Sequence, residues 1–108
     1  MQHQMTPEVR AAVVLRDGGC VAPRIDPRAG PCFDWLGRPL THPLVGIEVD
    51  YVNRGSRGGR HELAGDHVTL CPGHHRGTGP GTHGYIWATA HRAELRAYLE
   101  GVTRGIAS

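Results

Sequence analysis

Apolar and polar positions recur with two different periods along this chain, and the change of period marks its elements. Near the N-terminus Val9, Ala12 and Val13 fall at helical spacing, followed by Arg16. Thr6 precedes them as an N-cap, Pro7 takes the first helical position, and Glu8 places an acid in the first turn. A helix over about 7–16 is predicted, stopped by Asp17-Gly18-Gly19. From Gly18 to Pro43 the prolines at 23, 27, 31, 39 and 43 predict irregular loop. Residues 45–52 (Val-Gly-Ile-Glu-Val-Asp-Tyr-Val) alternate and are rich in β-branched side chains, which predicts a strand; His67-Val-Thr-Leu70 predicts a second. After Cys71-Pro-Gly a short helix through His74, His75 and Arg76 is allowed until Gly77, Gly79 and Pro80 cut it off. Thr89 is read as the cap of a last amphipathic helix over about 90–103, with Ala90, Ala93, Leu95, Ala97, Tyr98, Leu99 and Val102 on its apolar side.

The helix, strand, strand, helix order predicts an α+β fold in one domain over 1–108. Composition makes its core look thin. Hydrophobic residues are 39% of the 108, aromatics only 6%, and Gly plus Pro number 24 (16 and 8). Such a chain needs a bound metal or a partner to supplement its core. Trp35 and Trp87 are assigned to that core because few other large apolar residues exist. The longest apolar run, Ala11 to Leu15, is far too short to cross a membrane, and no basic-then-apolar leader opens the chain. A soluble, cytoplasmic protein is expected, with no membrane partner and an open oligomeric state.

The net charge is only +2, yet all twelve basic residues are Arg. Genome composition explains this, and so does phosphate recognition by the planar guanidinium. Arg54, Arg57 and Arg60 crowd one Gly-rich loop, a candidate phosphate-contacting patch that Arg76 extends. Three cysteines without a secretory leader do not form a disulfide framework. Cys71-Pro-Gly-His74, with Cys20 and Cys32 upstream, supplies three thiolates and one imidazole, a closed donor set for structural Zn²⁺. Three unrelated buried cysteines is the competing reading.

A second pattern lies beside the first: Asp50-Tyr51, then Asp66 after fourteen residues, then His75 after eight more. This resembles the HNH, or ββα-metal, endonuclease family, whose motif runs Asp-His, Asn, His over such spacing. The residues that carry the resemblance are Ile47 to Val52 for the first strand and His67 to His75 for the second strand and helix entry. Arg16-Asp-Gly-Gly-Cys20 and Gly84 to Ala90 are similar to segments of small actinobacterial and phage members. The resemblance spans residues 13–100. It implies a small zinc-stabilised ββα-metal domain with core motif 45–79 and flanking helices. It also implies a divalent ion, Mg²⁺ or Mn²⁺, held by Asp50 and His75, with Asp66 where the family has Asn. Its activity would be hydrolysis of DNA phosphodiester bonds, by nicking or cutting; a phage terminase subunit is the implied protein partner.

One position departs from the family. Tyr51 stands where the general-base His belongs. A phenol has a pKa of about 10, so forming phenolate at neutral pH costs roughly 4 kcal/mol. Tyr51 is read either as a slow base or as a strand packing residue, with His61 or His67 as substitute bases. An engineered change or lost cleavage is equally compatible. His67 is otherwise read as structural, and His42, His61, His83 and His91 receive no role from spacing. Two further functions therefore stand beside the endonuclease. One is a catalytically silent, zinc-stabilised DNA-binding or adaptor module. The other is a zinc protein in which the Asp50, Asp66 and His75 spacing is coincidence.

Overall fold

In the structure, a computed structural model, residues 5–52 and 63–107 are described, with side chains as far as Val102. Helix α1 (Pro7–Asp17) begins where Thr6 Oγ1 accepts the Val9 N–H at 3.1 Å. It ends at Gly18, whose φ of 69° lets its N–H reach back to the Val14 carbonyl at 2.8 Å. A single turn, α2 (Ala22–Ile25), follows. This corrects the expectation of unbroken loop from 18 to 43: Pro23 sits in the first turn, where its missing N–H costs nothing.

Strands β1 (Glu48–Tyr51) and β2 (His67–Leu70) pair antiparallel, with Glu48 opposite Leu70 and Tyr51 opposite His67. The first strand is shorter than the predicted 45–52. Val45 is exposed and Gly46 has φ 76°, so the alternation of residue types there does not correspond to a pleated edge. A 3-10 turn, Ala64–Asp66, leads into β2. Then come α3 (Pro72–Arg76), α4 (Trp87–Ala90) and α5 (Arg92–Ala107). The predicted C-terminal helix thus divides: Thr89 lies inside α4 rather than capping α5, and His91 (φ −122°, ψ 32°) breaks the run.

All four residues of β2 are buried, because α1 and α5 both pack against the strand. Val68 and Leu70 join Val21, Ala22, Val52, Trp87, Ala88, Leu95 and Leu99 in the core. Among the described side chains of α5, Leu95 and Leu99 are buried; Ala93 and Ala97, like Ala90 in α4, face solvent, so the apolar stripe is narrower than predicted. Trp87 is core, as expected. Trp35 is not: it is 63% exposed. Its ring instead carries the Arg76 guanidinium, 5.9 Å from the ring centroid.

His67 and Thr69 are held by polar contacts. Asp17, with no exposed surface, accepts the Thr69 N–H (2.8 Å), the Tyr98 hydroxyl (2.6 Å) and the Arg16 guanidinium (2.8 Å). Arg16 also donates to the Ala64 and His67 carbonyls, and Arg24 to the Asp17 carbonyl. The chain after α1 is stitched to β2 by the Val21 N–H on the Thr69 carbonyl at 3.0 Å. Among the described residues no helix is long and apolar enough to cross a membrane.

Candidate metal centre

Four side chains from three separate stretches of chain converge beside α3. Cys71 is its N-cap and Sγ accepts the His74 N–H at 3.4 Å, so one helical turn brings both C-x2-H residues to the same place. Cys20 arrives through the Val21–Thr69 bond just described. Cys32 arrives on a loop organised by Asp34, whose carboxylate accepts the Leu36 and Arg38 N–H groups, both at 2.9 Å. That loop is tied to α3 by Gly73 N–H on the Phe33 carbonyl at 3.1 Å. Phe33 also packs on Gly79, where an added Cβ would meet its ring at 2.7 Å.

The donor atoms of Cys20, Cys32, Cys71 and His74 all lie within 4.8 Å of one another. His74 Nδ1 stands 3.5 Å from Cys20 Sγ, 3.9 Å from Cys32 Sγ and 3.1 Å from Cys71 Sγ. A tetrahedral zinc ion with bonds of about 2.3 Å to sulfur and 2.0–2.1 Å to nitrogen separates those ligands by about 3.6 Å, so the set fits. The other ring nitrogen is equally informative. His74 Nε2 donates to the Ala29 carbonyl at 2.8 Å, which turns Nδ1 toward the sulfurs. These four residues could hold a metal ion such as zinc, and the long Cys20–Cys32 spacing is bridged by tertiary folding.

Charge in the tetrad is unevenly spread. Hydrogen bonds from Cys20 and Cys32 pull the Cys71 thiol well below its ordinary pKa. Hydrogen bonding to Cys32 and Cys71 and burial push Cys20 up. Cys32 rises to about 11: its contact with Cys20 lowers it, but Cys71 and burial outweigh that. Burial opposes charge on His74, yet Cys20, Cys71 and the Ala29 carbonyl hold its pKa up at about 10. Negative charge thus collects on Cys71 with a compensating proton on His74, the place a cation would take.

The second candidate set occupies the opposite end of the same short helix. Asp50, 1% exposed on β1, holds Arg92 at 2.7 Å through Oδ2, and its Oδ1 lies 3.7 Å from His75 Nε2. His75 Nδ1 donates to Glu48 Oε1 at 2.8 Å. Arg76 Nε donates to the same carboxylate at 2.8 and 3.0 Å. Two ligands about 2.1 Å from one octahedral ion lie about 3 to 4.2 Å apart, so Asp50 and His75 are placed as such a pair could be. Asp66 is buried in the 3-10 turn, its carbonyl accepting the Val52 N–H at 2.8 Å. Among the described residues, the Cys/His tetrad is the group of three or more donor residues close enough to share a metal; Asp66 forms no such group with Asp50 and His75.

Tyr51 is 4% exposed, its ring stacked on His67 with centroids 4.7 Å apart. His67 is fully buried and its Nδ1 donates to the Leu63 carbonyl at 2.8 Å, so its structural reading holds. Arg54, Arg57, Arg60 and His61 lie outside the described residues. Spacing alone missed two members of this cluster. Glu48 was detectable, being two residues before Asp50 and so on the same strand face. Arg92 had no local signal, since tertiary packing brings it across 42 positions to Asp50. Comparison with known proteins returns nothing: no family model, curated protein or solved structure matches this chain.

Proposed function

We propose that this chain is a metal-dependent HNH-type DNA endonuclease that hydrolyses phosphodiester bonds, stabilised by zinc at Cys20, Cys32, Cys71 and His74. The observation that carries this proposal is the meeting of Asp50 on β1 with His75 on α3, across an antiparallel pair that leads directly into that helix. Asp50 and His75 would hold Mg²⁺ or Mn²⁺. Such an ion, when bound, polarises the phosphodiester and stabilises charge on the leaving oxygen. Arg92 bonds Asp50 at 2.7 Å and so orients its carboxylate beside His75. Arg76, half exposed, and the Arg54, Arg57 and Arg60 loop would set affinity for the DNA backbone rather than sequence choice.

A second function is favoured by one specific observation. Tyr51 is stacked and buried where the base is needed, and the fully buried His67 offers no imidazole to water. A silent DNA-binding adaptor on the same zinc scaffold follows from that. Plasmid nicking with and without EDTA, in Mg²⁺ and in Mn²⁺, separates the two. The endonuclease requires metal-dependent nicking that Asp50→Ala and His75→Ala both abolish. Zinc-loaded protein that binds DNA and nicks in neither metal is the adaptor.

A further inference from the structure

Glu48 is the one acid of the second cluster that neither the motif spacing nor the proposed ligand set uses. Its carboxylate is half-buried on β1, on the same strand face as Asp50, and it accepts hydrogen bonds from His75 Nδ1 and Arg76 Nε. An ionised carboxylate only accepts, so the contact at 2.8 Å places the imidazole proton on Nδ1. In the neutral imidazole the lone pair then sits on Nε2, the nitrogen that faces Asp50 Oδ1 at 3.7 Å. Arg76 offsets the charge of Glu48, and Arg92 bonds Asp50 Oδ2 at 2.7 Å and reaches Oδ1 at 3.5 Å. Among the described residues, Glu48 at Nδ1 and Asp50 beside Nε2 thus fix the two edges of the His75 ring.

We propose that Glu48 is the positioning residue of this site: it fixes the Nδ1–H tautomer and ring orientation of His75, and so presents Nε2 beside Asp50 for a hard divalent cation. The cation half of this proposal rests on the endonuclease reading; the tautomer half does not. Carboxylates bonded to the far nitrogen of a ligand histidine typically contribute 10- to 100-fold in metal affinity.

Long-range proton–nitrogen spectra of the imidazoles, recorded on zinc-loaded protein without added Mg²⁺ or Mn²⁺, read the tautomer directly. Mn²⁺ titration then reads the affinity. Wild type is expected to show the His75 proton on Nδ1. Glu48→Ala loses that preference and binds Mn²⁺ on the order of 10- to 100-fold more weakly. Glu48→Gln, whose amide oxygen can still accept, keeps the tautomer and most of the affinity. Arg76→Ala separates Glu48 from its other partner and should leave the tautomer in place. A His75 proton on Nε2 in wild type, or a tautomer unchanged in a folded Glu48→Ala variant, overturns the proposal. Loss of the tautomer in Glu48→Ala from a protein that binds no Mn²⁺ even as wild type establishes Glu48's hold on His75 and removes the endonuclease reading instead.

Discussion

Asp17 shows how a fully buried acid is made tolerable in a chain this small. Its carboxylate takes donors from its own neighbour Arg16, from β2 through Thr69, and from α5 through Tyr98, so one side chain ties three elements together. Asp17→Ala leaves the Thr69 N–H, the Tyr98 hydroxyl and part of the Arg16 guanidinium without an acceptor. Each orphaned buried group costs about 1–3 kcal/mol. Urea unfolding should therefore show a loss of about 3 kcal/mol or more, and a loss under 1 kcal/mol would contradict the network's role. Tyr98 adds a pH signature. Burial first and the Asp17 carboxylate second raise its phenol to about 12 in the fold, against about 10 in an unfolded chain. The folded state holds that proton longer, so the stabilisation is complete below about pH 10 and is lost as pH climbs to 12, with a slope approaching about 1.4 kcal/mol per unit. Tyr98→Phe should lack that slope relative to wild type in alkaline denaturation curves. At Tyr51 the expected change is a gain. An imidazole there, near its working pKa at neutral pH, should raise nicking by Tyr51→His by about 10²–10⁴-fold if the endonuclease reading holds and the ring reaches the site. Unaltered silence in a folded Tyr51→His protein that binds DNA supports the adaptor.

Among the elements, α3 carries more than its length suggests. Five residues are too few for a helix to persist on its own hydrogen bonds. Its first turn supplies Cys71 and His74 to the tetrad, and the next residue is the His75 that meets Asp50. Metal binding at one end should therefore organise the other. His74→Ala is expected to release zinc, measured by its content after gel filtration, and to weaken Mn²⁺ binding at the Asp50–His75 pair, which it does not touch. Normal zinc content in His74→Ala would show that this imidazole is not a ligand. The Phe33 loop supports the same helix from outside. Gly79 packs so tightly on that ring that Gly79→Ala should cost about 1–3 kcal/mol of stability, read from the shift in Tm.

At the scale of the whole molecule, the described residues offer a core cluster of nine and a two-stranded sheet, little apolar burial to oppose chain entropy. A metal ion held at the tetrad would add its binding free energy to folding. Chelation of zinc should abolish the cooperative thermal transition and the near-ultraviolet dichroism of buried Trp87; an unchanged Tm in excess chelator would show that the core suffices alone. Much of this was readable from local chemistry. Thr6, Pro7 and Gly18 define α1, Pro72 and Gly77 define α3, and Cys71 with His74 announce a metal pair, because caps, turns and C-x2-H spacing act within about four residues. What lay beyond that range was not. Trp35 was assigned to the core on size alone, but its loop runs along the surface, and Arg76 covers it from another element. The break at His91 and the exposure of Ala93 and Ala97 depend on how α5 leans on β2. Sequence by itself determined the α+β order, the donor types and the starts of α1 and α3. Tertiary structure alone decided which donors meet. Glu48 reaches His75 across 27 positions and Arg92 reaches Asp50 across 42, separations that only packing around β2 can close.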